Sequence, residues 1–183
     1  MILTKLMQEE IIFAGFGGQG IMLMGKILAS AALEENKIVT LLPAYGAEVR
    51  GGTAHCMVKI SDKEIASPFI THPDTCFAMS RPALNEFESR LKKQGLLIIN
   101  ASLADIKPKR KDIRIISVPL TDIAAKLGNI KVANTVALGV YLAAQKNIKP
   151  ESVLKVMQDM APKNKSELLE INEKALKKGM KLI

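Results

Sequence analysis

The chain has 183 residues, of which 48% are hydrophobic and 24% charged, the composition of a globular protein the size of one domain. No stretch reaches the roughly 18 uninterrupted apolar residues of a membrane span, and two cysteines are too few for a disulfide framework, so we expect no membrane contact and a cytoplasmic location. The formal net charge is +8, but only two Tyr, five Phe and no Trp could stack on bases, so we interpret the basic residues as solvated surface and expect no nucleic-acid partner.

The first 43 residues predict the opening of an α/β sheet. Residues 10–15 form an apolar run that glycines end, which is typical of a buried strand. Residues 19–35 are apolar around most of a helical circumference, and residues 37–42 form a second apolar run that stops at Pro43. The pattern therefore predicts a strand, a helix and a strand in succession.

A change of pattern further along the chain indicates that the sheet is not purely parallel. Residues 53–60 are rich in β-forming side chains, residues 61–63 have the composition of a turn, and residues 64–67 are predicted to return as a strand. Two strands joined by so short a turn must be antiparallel. The sheet is therefore predicted to be mixed.

The remaining residues predict further strands and then a run of helices. The predicted strands are residues 74–79, 96–99 and 113–118. The predicted helices are residues 82–93, 121–127, 134–146, 151–160 and 166–178. We expect one domain over residues 1–183, with a three-layer α/β/α fold, a mixed and mostly parallel sheet, and a helical C-terminal end.

A glycine-rich loop lies between the first predicted strand and the first predicted helix. Its glycines have the spacing G-x-G-x-x-G, which lets the backbone approach a ligand closely while the helix N-terminus offers free N–H groups to an anion. Dinucleotide binding also needs an acid at the end of the second strand, and that strand ends Leu41-Leu42-Pro43. Contact with a phosphate-bearing ligand or a partner subunit, and simple close packing of helix on strand, stay open as alternatives. The candidate residues of this loop are Gly15, Gly17, Gly18, Gln19 and Gly20.

A second glycine-rich segment follows the second predicted strand. Residues 45–56 concentrate Tyr, Glu, Arg and His around three glycines, at the strand end where open α/β sheets meet their ligands. Glu48 and Arg50 could pair with each other, or Arg50 could bind a carboxylate or phosphate through two hydrogen bonds. The candidate residues of this segment are Glu48, Arg50, Gly51 and Gly52.

Two histidines and two cysteines raise the question of a metal site or a nucleophile. His72 and Cys76 have a possible ligand spacing, but no C-x2-C pair is present, and the neighbours His55 and Cys56 would point to opposite faces of a strand. No third residue is evident that would orient a Cys–His pair. We therefore expect no metal site and no catalytic residue in this chain.

The two glycine segments together resemble those of a known family, the gamma subunits of 2-oxoacid (pyruvate, 2-oxoglutarate or 2-ketoisovalerate):ferredoxin oxidoreductases. The first is Gly15-Phe-Gly-Gly-Gln-Gly20 and the second is Tyr45-Gly-Ala-Glu-Val-Arg-Gly-Gly52. Shorter matching pieces follow in the family's order and extend the resemblance over nearly the whole chain. They are residues 61–65, 67–68, 73–74, 134–139 and 172–175, and Gly179.

The resemblance implies a subunit of an enzyme that oxidatively decarboxylates a 2-oxoacid, forms an acyl-coenzyme A and reduces ferredoxin. It implies alpha, beta and delta subunits as partners, with ferredoxin reached through the complex. Thiamine diphosphate is expected between the alpha and beta subunits and iron–sulfur clusters in the beta or delta subunits, so the isolated chain is expected to be inactive. Coenzyme A is the cofactor that the two glycine segments are expected to contact, and the form of residues 45–48 resembles the 2-oxoglutarate branch. The alternative is a free-standing dinucleotide-binding oxidoreductase of Rossmann-like type.

Overall fold

The computed structural model describes residues 7–45, 53–161 and 166–183, and within them one sheet of six strands is found. The strands lie in the order β2-β3-β1-β4-β5-β6, and β3 is antiparallel to both of its neighbours while the other pairings are parallel. The strands are β1 (Gln8–Phe16), β2 (Ile38–Tyr45), β3 (Thr53–Ser61), β4 (Thr75–Ala78), β5 (Leu96–Asn100) and β6 (Arg114–Val118).

Helices cover both faces of this sheet, which confirms the three-layer α/β/α prediction. The helix α2 packs on one face, whereas the other five pack on the opposite face. The helices are α1 (Ile21–Glu34), α2 (Arg81–Phe87), α3 (Leu120–Lys126), α4 (Ala133–Gln145), α5 (Pro150–Met160) and α6 (Ser166–Met180). None of the helices in the described residues is both long and apolar enough to cross a bilayer.

The central strands are buried on both faces, which explains why they read as continuous apolar runs in the sequence. In β1, Ile11 and Phe13 join the larger core beneath α1 and α4, and Ile12 and Ala14 join the smaller core beneath α2. This alternation follows from the two-residue period of a strand. The ring of Phe13 stacks on that of Phe77 in the neighbouring β4, with centroids 4.5 Å apart.

The close approach of α4 and α6 depends on two glycines. A Cβ added to Gly139 would overlap the carbonyl oxygen of Leu176, and one added to Gly179 would overlap that of Val136. Because neither residue carries a side chain, the two helix backbones touch directly. This contact fixes how closely α6 packs along α4.

Three details of the predicted elements were wrong. Pro43 does not end the second strand, since β2 continues to Tyr45; β2 is the edge strand, where a missing N–H is tolerated because it can face away from the sheet. Residues 64–67 form no strand, and the sheet is mixed because β3 returns between β1 and β2. The helix expected over residues 82–93 ends at Phe87 and continues only as a short 3-10 turn.

The basic residues 107–114 include a segment that is anchored to the body of the protein. The carboxylate of Glu88 accepts the backbone N–H groups of Lys109 and Arg110, and the Arg110 guanidinium pairs with Asp112 at 2.5 Å. Arg110 also donates to the carbonyl oxygen of Leu91. This arginine is therefore used to hold its own loop in place.

The topology creates a crevice between the ends of β1 and β4. The chain leaves β1 through α1 toward β2 on one side, whereas it leaves β4 through α2 toward β5 on the other side. In open α/β sheets, ligands bind where neighbouring strands diverge in this way, outside the carboxyl ends of the strands. The surface where the parallel strands β1, β2, β4, β5 and β6 end is the carboxyl edge of the sheet.

Candidate functional site

The first glycine loop, residues 15–20, lies at the carboxyl edge, directly over the crevice between β1 and β4. Gly15 is buried and still pairs with Ala54 of β3, whereas Gly17 and Gly18 are exposed. Gly18 has φ +94° and Gly20 has φ +74°, conformations that side-chain-bearing residues rarely adopt. The backbone at these two positions therefore favours glycine, and the predicted ligand role of the loop stays a prediction.

Gln19 closes the loop with two hydrogen bonds, one through the oxygen and one through the nitrogen of its side-chain amide. Its Oε1 accepts the backbone N–H of Phe16 at 2.6 Å, and its Nε2 donates to the carbonyl oxygen of Met79 at 3.0 Å. Phe16 ends β1 and Met79 follows β4, so one side chain spans the crevice. The loop is therefore fixed in shape by contacts within the chain itself.

The N-terminus of α1 opens directly from this loop. Gly20 is the N-cap, no side chain among the described residues caps the helix, and its first turn contains no acidic residue. The first intrahelical bond runs from the N–H of Met24 to the carbonyl oxygen of Gly20, so the N–H groups of residues 20–23 have no partner within the helix. Together with the helix dipole, these donors favour an anion at this position.

Sequence reasoning missed a set of polar side chains that pack beside the loop. Asn134, only 5% exposed, contacts the backbone of Gly20 so closely that a Cβ there would overlap Nδ2 and lie 3.1 Å from Cγ. Thr135, next to it in α4, donates its hydroxyl hydrogen to Oδ1 of Asn172 in α6 at 2.7 Å. The available signal was this polar pair in the otherwise apolar run 132–144.

A cavity of about 160 Å³ adjoins the loop. Gly18 and Gln19 form one wall, and Lys131 and Ala133 form part of another. A third side is held in place by Asn100, whose side-chain amide donates to the hydroxyl of Thr121 at 2.9 Å. The cavity is therefore bounded by the ends of β1, β4 and β5 and by the turn that leads into α4.

The second glycine segment lies mostly outside the described residues. Glu48, Arg50, Gly51 and Gly52 all belong to residues 46–52, so their predicted role stays a prediction. The residues that flank them are at the carboxyl edge, because Tyr45 ends β2 and pairs with Ala54 of β3. Thr53, which begins β3, pairs with Phe16 at the start of the first loop. The fold thus brings the flanks of the two predicted segments together.

The histidines and cysteines form no common site. No cluster of three or more potential ligands occurs in residues 7–45, 53–161 and 166–183. Cys56 belongs to the larger core and Cys76 to the smaller one, on opposite faces of the sheet. Burial raises the pKa of the Cys56 thiol to about 11 and also raises the pKa of Cys76, so neither is poised as a thiolate. His55 packs against the ring of Phe87 with centroids 5.2 Å apart, and burial lowers the pKa of this histidine.

Exposed apolar side chains gather at the carboxyl edge. Six of the twelve large apolar side chains that the described residues leave exposed lie on or beside it. They are Leu23, Tyr45, Leu103, Ile130, Met160 and Leu168. Leu23, Met160 and Leu168 line one groove between α1, α5 and α6, which begins at the first turn of α1. Clusters of this kind typically mark an interaction surface.

Comparison with protein families gives one match over nearly the whole chain, to the family described as pyruvate ferredoxin/flavodoxin oxidoreductase, over residues 10–182. The chain is 37% identical over 172 residues to the ketoisovalerate oxidoreductase subunit VorA of Methanothermobacter marburgensis, covering 94% of this chain and 36% of that one. It therefore spans about a third of the length of that relative. It is 34% identical to the 2-oxoglutarate synthase subunit KorC of Methanocaldococcus jannaschii, covering 88% of each chain.

Solved structures with the same fold agree with these relatives. The gamma subunit of a keto/oxoacid ferredoxin oxidoreductase from Geobacter sulfurreducens matches with a TM-score of 0.80 and 30% identity, over 93% of this chain and 95% of that one. The 2-oxoglutarate:ferredoxin oxidoreductase from Magnetococcus marinus, solved with 2-oxoglutarate, coenzyme A and succinyl-CoA bound, matches with a TM-score of 0.87 over 94% of this chain and 30% of that one. At 24% identity, the second likeness is one of fold.

Proposed function

Because the chain belongs to the pyruvate ferredoxin/flavodoxin oxidoreductase family, we propose that it is the gamma subunit of a 2-oxoacid:ferredoxin oxidoreductase. The assembled enzyme converts a 2-oxoacid and coenzyme A to an acyl-coenzyme A and carbon dioxide, and passes two electrons to ferredoxin. The observation that carries the proposal is the full-length likeness to a separate gamma subunit, in which 95% of that chain is covered.

The composition of the chain supports a division of labour between subunits. A cluster of the ferredoxin kind needs four thiolates, and the whole sequence has two cysteines, which lie on opposite faces of the sheet. Thiamine diphosphate and the iron–sulfur clusters are therefore assigned to partner chains. In this proposal the isolated chain has no activity, and its part is assembly and contact with coenzyme A.

The carboxyl edge is the proposed meeting place with the alpha, beta and delta subunits. It carries the exposed apolar side chains, the free N-terminus of α1 and the flanks of both glycine segments. An interface core is typically apolar with polar groups around it, and this surface offers both. Ferredoxin is reached through the assembled complex.

Coenzyme A is the proposed ligand of the glycine loop, residues 15–20, together with Glu48, Arg50, Gly51 and Gly52. The N–H groups at the start of α1 that have no partner within the helix suit a phosphate group, and the Arg50 guanidinium would add two charge-assisted hydrogen bonds. The Magnetococcus marinus enzyme, of which this chain matches 30%, was solved with coenzyme A bound, and coenzyme A is therefore the ligand that we propose to test here.

The alternative of a free-standing dinucleotide-binding oxidoreductase has less support. The relatives are subunits of ferredoxin-linked enzymes, and the crevice between β1 and β4 is spanned by the side chain of Gln19. Among 2-oxoacids, 2-oxoglutarate is favoured by residues 45–48 and by the likeness to a 2-oxoglutarate synthase subunit. A branched-chain oxoacid is the next candidate, from the likeness to a ketoisovalerate oxidoreductase subunit.

The test is purification of the affinity-tagged chain from its source cells, with mass spectrometry of the proteins that accompany it. The eluate is assayed for viologen dye reduction with 2-oxoglutarate, 2-oxoisovalerate or pyruvate, each with and without coenzyme A. We expect thiamine-diphosphate-binding and cluster-binding subunits, and dye reduction that requires coenzyme A and one preferred oxoacid. Recovery of the chain without such subunits and without that activity would falsify the proposal.

A further inference from the structure

We infer that the cavity of about 160 Å³ beside the glycine loop receives a carboxylate side chain of a partner subunit, an aspartate or a glutamate, which pairs with Lys131. The inference rests on the proposed function, because it requires the chain to work within a complex. It adds to that function one position on the carboxyl edge where a partner of stated chemistry is held.

Lys131 supplies the charge of this cavity. Among the described residues it is the one charged residue in the lining, and it forms no ion pair with any of them. Its backbone is anchored by Asn129, whose Oδ1 accepts the Lys131 N–H at 3.0 Å. The cavity therefore has a positive potential that favours an occupant with one negative charge.

The other polar side chains of the cavity have donors to offer, because their acceptor oxygens are used within the chain. Oε1 of Gln19 accepts the N–H of Phe16 at 2.6 Å, and Oδ1 of the fully buried Asn100 accepts the N–H of Thr121 at 3.3 Å. The Thr121 hydroxyl accepts a hydrogen from the Asn100 amide at 2.9 Å and carries one hydrogen of its own. An occupant that accepts hydrogen bonds, such as a carboxylate, matches this lining.

The size and the rim of the cavity favour a protein side chain over a small-molecule ligand. At roughly 30 Å³ for each water the cavity holds about five waters, which is the size of one side chain and too small for a nucleotide. Leu103 and Ile130 line the same cavity and are 45% and 62% exposed. Apolar side chains that surround and desolvate a central charged contact are typical of the core of a protein interface.

The experiment compares variants of the full chain in association with co-expressed partner subunits. Lys131→Gln removes the charge, Lys131→Glu reverses it and Lys131→Arg keeps it. The matched control is Lys111→Glu, at an exposed lysine just before β6 at the opposite edge of the sheet. Three quantities are measured: the dissociation constant for the partner subunits at low and high salt, the KM of the assembled enzyme for coenzyme A, and the free energy of unfolding of the isolated chain in urea.

We expect Lys131→Gln to raise the dissociation constant about tenfold or more, because it leaves a desolvated carboxylate of the partner without its cation. Lys131→Glu should raise it further, Lys131→Arg should lose less than either, and Lys111→Glu should match wild type. High salt should weaken association of wild type more than that of Lys131→Gln, since salt screens the ion pair. The KM for coenzyme A and the stability of the isolated chain should be the same in Lys131→Gln as in wild type.

The inference is overturned if Lys131→Gln and Lys131→Glu associate with the partner subunits as wild type does. It is also overturned if Lys131→Gln raises the KM for coenzyme A without weakening association, because the cavity then takes that ligand. A loss of stability in the isolated Lys131→Gln chain overturns it as well, because the acid then belongs to this chain. In all three cases the proposed function survives, whereas a wild-type chain that associates with no such subunits marks failure of the proposed function and of this inference with it.

Discussion

The side-chain amide of Gln19 donates a hydrogen bond to the carbonyl oxygen of Met79 at 3.0 Å, which joins the loop after β1 to the residue that follows β4. The same side chain accepts the N–H of Phe16 through its other end. The glycine loop is thereby held across the crevice without any ligand. Preorganised backbone donors of this kind bind an anion with less loss of conformational entropy.

Gln19→Glu tests this clamp through its pH dependence. A carboxylate can still accept from Phe16, but it would face the Met79 carbonyl oxygen with no hydrogen to donate. We expect a loss of about 1–3 kcal/mol in the free energy of unfolding at pH 7. Because this repulsion raises the folded-state pKa of the new carboxyl group, the lost stability should return as the pH falls through that pKa.

The measurement is urea unfolding at several pH values, with Gln19→Met as control. The methionine lacks both hydrogen bonds and does not titrate, so its difference from wild type should not change with pH. If the loss in the free energy of unfolding relative to wild type depends on pH in the same way for Gln19→Glu and Gln19→Met, the bond to Met79 does not act as described.

Gly20→Ala tests the contact between the loop and Asn134. Both Gly18 and Gly20 have positive φ, so alanine at either should cost about 1–2 kcal/mol of backbone strain. A Cβ at Gly18 has no neighbour within 4 Å, whereas one at Gly20 overlaps the Asn134 amide. We expect Gly20→Ala to cost about 1–3 kcal/mol more than Gly18→Ala.

A double-mutant cycle with Asn134→Ala isolates this overlap. The excess cost of Gly20→Ala should largely vanish in the Asn134→Ala background, since the amide that would be displaced is gone. Equal costs for Gly18→Ala and Gly20→Ala, measured by urea unfolding, would show that Asn134 does not confine the loop.

Glu9→Gln tests a buried carboxyl group at the opposite edge of the sheet. Glu9 is 5% exposed and accepts hydrogen bonds from Thr75 and Tyr141, each at 2.7 Å, and from Asn147. Burial raises the pKa of Glu9 above its ordinary value, although these bonds oppose the rise. The folded state therefore binds the proton more tightly than the unfolded state, and stability is lost as the pH rises from the unfolded to the folded pKa.

We expect the free energy of unfolding of wild type, taken relative to Glu9→Gln, to fall as the pH is raised above the ordinary pKa of a glutamate. The starting point is the ordinary pKa of a glutamate, about 4.3. Because other carboxyl groups titrate in both proteins, only the difference between the two curves is informative. A difference that rises with pH would mean that the hydrogen bonds outweigh burial.

Leu168→Lys tests the carboxyl edge as an assembly surface. Leu168 is 36% exposed in the groove that it shares with Leu23 and Met160, so a lysine there should leave the isolated chain nearly as stable as wild type. In a complex that covers the groove, the buried charge should cost several kcal/mol and prevent stable association. The measurement is the yield of intact complex by size-exclusion chromatography after co-expression.

Leu33→Lys is the matched control, because Leu33 is 57% exposed near the C-terminal end of α1, at the opposite edge. We expect this variant to assemble normally. Normal assembly of Leu168→Lys, or equal loss in both variants, would remove the carboxyl edge as the specific interface.

The local pattern of the sequence was sufficient to predict most of the helices and strands. The glycine spacing of residues 15–20 correctly predicted a loop between a strand and a helix, because tight turns and positive φ need glycine regardless of what surrounds them. The strand predicted at residues 37–42 ended too early, because proline is excluded from a central strand but tolerated in an edge strand such as β2. Whether β2 was an edge strand depended on pairing partners, which the local pattern does not contain.

The sequence by itself determined the α/β class, the place of the first glycine loop and the resemblance to the gamma subunits, because these depend on residues that are close together in the chain. Only the tertiary structure decided that β3 runs between β1 and β2, that Gln19 reaches Met79, and that Asn134 lies against Gly20. Such contacts join residues that are far apart in sequence, and they form because both faces of one sheet must be buried at once.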